Sequence, residues 1–413
     1  MKILITSQWY PPEPSFRAHE LACALNTVGH KVTVVTGFPN YPNGRIYPGY
    51  QLSWRKWENR DSINILRVPI YPSHDRSLFR RSLNSLSFAA SASLLSPLLC
   101  EKSDISWVFS PPPSAALPLY WIKLLRKTPF VYEIQDLWPE SIIATGMKPP
   151  KWFVKAINAL NSFIYSQAAA IIVISDGLKH NLIAKGVPEE KIHVIYNWVD
   201  EELYRPVLED NVLAEKYGLK GHFNVIFSGN IGLAQALDNV LDAAELLRDL
   251  PKVQFVFIGG GIDAPRIRNL AEERKITNVI FIDRQPAEKM PYFYALSDVL
   301  LVHLKREALF AITIPSKIMS YLACGKPILG CVEGDAAEII HSAKAGLTCL
   351  GQDPKALADS VRRFYAMPAE QLKVMGQSGR EFFLGNYKKT LLIERYESLF
   401  KEIVQRKMKG RRI

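Results

Sequence analysis

The chain has 413 residues, and with about 150 residues to a typical domain that length calls for two or three domains rather than one core. Its composition, 48% hydrophobic, 22% charged and 11% aromatic, excludes a disordered chain and a collagen-like fibre. The net charge of +11 is uneven: residues 1–200 carry 21 Lys+Arg against 14 Asp+Glu, and residues 201–413 carry 30 against 26, with +5 in the last thirteen residues alone. Such a distribution suits an anionic partner, whether lipid headgroups, nucleic acid or a phosphorylated ligand.

In chain order, 2-KILITS-7 is a short apolar run, 18-AHELACALNTVGH-30 repeats apolar residues at helical spacing up to the stop at Gly29, and 31-KVTVVTG-37 is rich in β-branched residues. Together they predict a βαβ unit. Strand-like runs follow at 63–68, 105–109, 129–134, 170–175 and 192–196, and again at 223–229, 253–259, 279–282, 298–303 and 327–330, with helical segments between several of them. The alternation predicts two α/β halves, each built on a mainly parallel sheet. Residues 197–210 lack periodicity, carry Pro206 and read as the interdomain linker. The expected division is a first domain at 1–196, a second at 197–385, and a final helical stretch with a basic tail at 386–413 that crosses back to the first domain.

Residues 76–100 combine Phe79, Leu83, Leu86, Ala90 and Leu94 at helical spacing with Arg76, Arg80 and Arg81 at the start. A membrane-spanning helix needs about 20 mostly apolar residues, and serines, Asn84 and Pro97 interrupt this one. Two readings stand: a core helix with an exposed basic end, or an interfacial segment with its apolar face in a membrane and its arginines among phosphates.

The five cysteines are odd in number, distant in sequence and free of C-x-x-C pairs, which predicts reduced, buried thiols and a cytosolic address. No secretory leader is expected, because the run after Lys2 ends at Thr6. The scattered histidines match no metal-ligand spacing, and no serine-hydrolase motif is present, so neither a metal nor a cofactor is expected.

In a parallel α/β sheet, ligands sit beyond the carboxyl ends of the strands. After the first run comes Trp9–Arg17, where Ser15 and Arg17 stand at a helix start suited to an anion. After 129–134 comes 135-QDLWPES-141. Asp136 there is either a general base or an N-cap, and Glu140 is either a second carboxylate of the site or a helix-start charge. In the second half, 226-IFSGNIG-232 places small residues before a helix, whereas 258-IGGGIDAP-265 has Ala264 where a dinucleotide fingerprint needs glycine and reads as a turn. Ser316 and Lys317 open a helix after Pro315. A lysine sits poorly against the positive end of a helix dipole unless an anion is present.

These stretches, with 29-GHKVTVVTGFPNYP-42, 174-ISDGLKHNLIAKGVPEEKIHVIYNWVD-200 and 294-YALSDVLLVHLK-305, resemble the retaining GT-B glycosyltransferases of family four, most closely the WbuB-like branch of N-acetyl-L-fucosamine transferases of O-antigen assembly. The resemblance implies two Rossmann-like domains facing a cleft, a UDP-sugar held mainly by the second domain, and metal-independent retention of configuration. It further implies an undecaprenyl-diphosphate-linked acceptor held by the first domain at the cytoplasmic face of the membrane, where Arg76, Arg80, Arg81, Leu83 and Leu86 would meet acceptor and bilayer. It implies no nucleic-acid partner.

Carried over by position, Gly229, Asn230, Ser316 and Lys317 would lie against the diphosphate, Arg284 and Gln285 near the uracil, and Asp136 beside the reacting centre. The chain departs from the family where glutamates would stand at 312 and 320: it has Ile312 and Ser320. Ser320 is left to supply a weaker hydrogen bond to the ribose. Gln135 replaces a frequent histidine, and Leu233-Ala234-Gln235 replaces a basic pair, so the phosphate charge is expected to be met elsewhere, by Lys317, Lys305 or Arg306. The expected activity is transfer of a sugar from UDP to a lipid-linked saccharide; the alternatives are a UDP-sugar 2-epimerase of the same fold and a non-catalytic basic protein binding membrane or nucleic acid.

Overall fold

A computed structural model describes residues 1–73, 78–110, 112–144 and 147–410. Two compact units emerge, one of Met1–Ile174, Lys179–Ile195 and Ile393–Ile413, the other of Ser175–Leu178 and Tyr196–Leu392.

The first unit holds eight strands: β1 (Lys2–Ser7), β2 (Lys31–Gly37), β3 (Lys56–Arg60), β4 (Ile63–Val68), β5 (Ile105–Ser110), β6 (Phe130–Ile134), β7 (Ala170–Val173) and β8 (Ile192–Val194). Their order is β3-β4-β2-β1-β5-β6-β7-β8, and only β3 runs antiparallel, hairpinned to β4 through Asp61 and Ser62 at positive φ. The chain moves one way from β1 to β2 and the other way from β5 onward, which sets a topological switch point between β1 and β5.

The second unit carries β9 (Phe223–Asn230), β10 (Val253–Gly260), β11 (Val279–Ile282), β12 (Val299–His303), β13 (Ile328–Cys331) and β14 (Gly346–Cys349), all parallel, in the order β11-β10-β9-β12-β13-β14. Its switch point lies between β9 and β12. Ile226, Val256 and Leu300 enter one core while Val225, Phe255 and Leu301 enter another. Successive side chains therefore point to opposite, equally covered faces, which is why these strands read as unbroken apolar runs. The architecture is the expected pair of Rossmann-like α/β domains.

Two details add to the sequence reading. Cys331 and Cys349, distant in sequence, are register partners on β13 and β14 with sulfurs 3.4 Å apart, although both remain free thiols. The helix Leu78–Leu99 turns Phe79, Leu83, Leu86 and Leu94 to solvent and packs Asn84, Phe88, Ala92 and Leu95 inward. Its inner polar groups find backbone partners: Asn84 Nδ2 donates to the Tyr71 carbonyl at 2.6 Å, and Ser91 Oγ donates to that of Pro69 at 2.6 Å. Satisfied in this way, the polar face is the one that can be buried. Arg76 lies outside the described residues.

Candidate functional site

In the second unit, β9 ends in Ser228-Gly229-Asn230. Ser228 Oγ meets the hydroxyls of Tyr294 at 2.8 Å and Tyr321 at 3.0 Å, and the Ser228 N–H donates to Tyr321 at 3.1 Å. Tyr321 thereby fixes the helix Ser316–Ala323 against β9. One helical turn earlier on the same face, Lys317 extends over the Phe227 ring, its Nζ 3.6 Å from the centroid. That ammonium comes within 3.7 Å of where a Cβ on Gly229 would lie, and Gly229 has φ +114°.

Burial pulls the Lys317 ammonium down to about 7. Among the described residues no carboxylate forms an ion pair with it. Nearby, His303 at the end of β12 is held neutral: burial pushes it down to about 4, and its Nδ1–H donates to the Gln235 carbonyl at 2.7 Å. The place of His303 at the site depends on the switch point that brings β12 beside β9.

The neighbouring glycines serve packing. A Cβ at Gly259 would stand 1.9 Å from the Gly229 carbonyl oxygen, and one at Gly261 2.3 Å from that of Ile231. The run 259–261 thus lets β10 close against β9. The Gly232 N–H donates to Gln235 Oε1 at 3.0 Å, and Asn230 folds its amide over Gly232.

The other expected donor-site residues are spread more widely. Ser320 Oγ donates to the Lys317 carbonyl at 2.9 Å, which leaves it only lone pairs to offer a ligand. The Lys305 N–H donates to the Ala234 carbonyl, placing this residue at the end of β12. Ser316 is exposed at the helix start. Arg284, exposed, and Gln285, whose amide donates to the Asp283 carbonyl at 3.0 Å, lie beyond β11, two strands from β9.

In the first unit, buried Glu13 shapes the loop after β1. Its carboxylate accepts from the backbone N–H groups of Tyr10 (3.0 Å), Asn40 and Tyr41 (both 2.8 Å), binding the loop after β1 to the loop after β2. Buried Arg67 donates to the carbonyls of Pro11 and Gly37. Ser15 is tied by its N–H to the Glu13 carbonyl at 2.7 Å.

Arg17 turns toward a second buried carboxylate, Glu133 on β6. Tyr396 Oη and Trp107 Nε1 donate to Glu133 at 2.6 and 3.0 Å, and Gln135 Nε2 donates at 2.6 Å. Arg17 donates to Tyr396, and its charge opposes the rise that burial imposes on Glu133. An arginine expected at a phosphate thus has its charge met within the first unit.

Asp136 follows directly. Solvent reaches it, yet the protein crowded around it raises its carboxyl above the ordinary range, a shift that suits a proton acceptor or hydroxyl-orienting group. Glu140 opens the helix Glu140–Ala144 and pairs with Lys185 at 2.5 Å, the arrangement of a helix-start charge rather than of a second reacting carboxylate. Asp136 lies in the turn that precedes the helix Glu140 opens.

On the outer helix Leu78–Leu99, Arg80, Leu83 and Leu86 are exposed and Arg81 half-buried. The fold also brings His19, Cys23 and Asp61 together, although no sequence spacing announces them. His19 is hydrogen-bonded on both sides, Nδ1 with Tyr10 Oη at 2.8 Å and Nε2 with Asp61 at 2.9 Å, so the group is complete without an ion.

A doubly wound domain with a half-buried cation and a glycine turn at its switch point offers an anion a place to bind. Residues 14–198 match the glycosyl transferase 4-like domain family, and residues 211–382 match glycosyl transferases group 1. The chain belongs to these two-domain GT-B glycosyltransferases. It is 29% identical over 337 residues to the putative colanic acid biosynthesis glycosyl transferase WcaI of Escherichia coli K12, covering 79% of this chain and 82% of the relative. Two solved structures share the fold: sucrose-phosphate synthase from Thermosynechococcus elongatus (TM-score 0.76, 15% identity, 97% and 98% of the two chains) and Anabaena Alr3699/HepE in complex with UDP (TM-score 0.72, 15% identity, 97% and 100%). The epimerase and the non-catalytic binding protein find no support in these matches.

Proposed function

We propose that the protein is a retaining glycosyltransferase of bacterial surface polysaccharide synthesis that uses a UDP-sugar, with N-acetyl-L-fucosamine as the sugar suggested by its WbuB-like sequence. The observation that carries the donor reading is Lys317, an unpaired ammonium fixed beside Gly229 at the switch point of the second unit. The UDP complex of the similarly folded Anabaena protein and the colanic acid relative favour the same reading.

In this reading the second domain (197–385) holds the donor: Gly229, Asn230, Ser316 and Lys317 meet the diphosphate, Arg284 and Gln285 the base, and Ser320 the ribose. The first domain (1–196), steadied by the stretch 386–413, presents a lipid-diphosphate-linked acceptor at the inner membrane face, with Asp136 orienting its hydroxyl. The acceptor oxygen forms a bond to the anomeric carbon as the bond from that carbon to the diphosphate breaks. The acceptor proton passes to the departing phosphate on the same face, so configuration is retained. The protein's part is to position both substrates and neutralise the developing charge.

The test is to offer the purified chain UDP-, GDP- and ADP-sugars with an undecaprenyl-diphosphate-linked acceptor and to follow nucleotide release and anomeric configuration by NMR. Release confined to UDP, with a product of the donor's configuration, is expected. Release confined to another nucleotide, or an inverted product, overturns the reading.

A further inference from the structure

Three helices of the first unit form one layer. Leu78–Leu99, Leu117–Arg126 and Lys151–Gln167 connect β4 to β5, β5 to β6 and β6 to β7, successive steps in one direction across the sheet. Right-handed crossovers place all three on the same face. They are fastened side by side: Arg126 donates to the carbonyls of Pro97, in the first helix's last turn, and of Cys100, just past its end, and Lys123 donates to that of Gln167 at 2.7 Å.

These helices contain no aspartate or glutamate, while Arg80, Arg81, Lys123, Arg126, Lys151 and Lys155 are basic. Their inner faces are spent on the core through Phe88, Leu95, Ile122 and Ile164. Their outer faces remain apolar: Phe79 is 76% exposed, Leu98 72% and Trp152 70%, with Leu86, Trp121 and Leu125 also exposed. Large apolar side chains concentrated on one layer mark a surface that is covered in use. No helix among the described residues is long and apolar enough to cross a bilayer. A layer with tryptophans, leucines and cations but no acid matches an anionic lipid surface, where aromatic rings sit at headgroup level and cations among phosphates.

We infer that this three-helix face docks on an anionic lipid bilayer, lying on it with Phe79, Leu98 and Trp152 in the headgroup boundary. The inference rests on the reading of a lipid-linked acceptor and extends it from one helix to a whole layer of the first unit.

The experiment is co-sedimentation of the full chain with vesicles of phosphatidylcholine alone or mixed with phosphatidylglycerol, alongside UDP binding as a separate readout. Binding to the anionic vesicles that weakens with salt is expected. Phe79→Ser with Trp152→Ser, and separately Lys151→Glu with Lys155→Glu, should each lower partitioning by about tenfold or more without changing UDP affinity. Equal partitioning of wild type and both variants overturns the docking surface. Self-association of the lipid-free chain that the same substitutions abolish also overturns it, by making a second copy the occupant. Loss of UDP binding with vesicle binding intact would count against the donor reading alone.

Discussion

The Lys317 ammonium lies 3.6 Å from the centre of the Phe227 ring, on a helix that Tyr321 ties to Ser228. The ring face attracts the cation, but burial still draws its pKa down to about 7. A bound diphosphate restores the charged form, so binding takes up a proton whenever the pH lies above the free-state value. UDP affinity should therefore be flat below pH 7 and weaken by about tenfold per pH unit above it, until the bound-state value is reached. Calorimetry at pH 8 in buffers of different ionisation enthalpy checks this by counting the protons taken up.

Asp136 should matter to turnover more than to donor binding. Asp136→Asn keeps the shape and removes the charge, and should lower kcat by about 10²- to 10⁴-fold while leaving UDP affinity within about twofold. Because crowding raises its carboxyl, wild-type activity should fall with decreasing pH at an apparent pKa above that of an ordinary aspartate. Unchanged turnover in the variant would remove Asp136 from the reacting centre.

The final helix, Lys389–Met408, meets the first unit through Tyr396, whose hydroxyl donates to buried Glu133. Tyr396→Phe removes one of three donors to a buried carboxyl and should destabilise the first unit by about 1–3 kcal/mol, read from the urea midpoint. A midpoint equal to wild type would show that Arg17, Trp107 and Gln135 suffice.

Two adjacent glycines should behave oppositely. Gly259→Ala places a methyl 1.9 Å from the Gly229 carbonyl at φ +147°, and should cost about 3 kcal/mol or more by forcing β9 and β10 apart. Gly260→Ala meets no atom within 4 Å and should stay within about 0.5 kcal/mol of wild type with UDP binding retained. Thermal denaturation of both variants checks the contrast. A phosphate cradle at Gly260 would instead show as lost UDP binding in the second variant.

The α/β alternation was legible because strands buried on both faces appear as continuous apolar runs, and Val225–Phe227 and Phe255–Phe257 alternate between two filled cores. The strand β3 was not, because Lys56–Arg60 is a polar edge strand that shows no apolar run; its signal is the tight turn at Asp61 and Ser62. Helix Leu78–Leu99 stayed open between a core and an interfacial reading, because its serines and Asn84 can be buried only once their partners, the carbonyls of Pro69 and Tyr71, are placed beside them.

At the site, Lys317 stood out because a lysine at a helix start is locally unfavourable. Glu13 and Glu133 did not, since what makes each consequential is partners drawn from elsewhere: residues 40 and 41 for the first, and Arg17, Trp107 and Tyr396 for the second. Glu140 was ambiguous in sequence and resolves into an ion pair with Lys185.

The most direct measurement is calorimetric titration of the full chain with UDP, GDP, ADP and NAD⁺, repeated on Lys317→Ala. Selective UDP binding that the substitution weakens by about tenfold or more is expected, the worth of a charge-assisted contact to phosphate. Binding without preference for UDP, or UDP binding indifferent to Lys317, would contradict it.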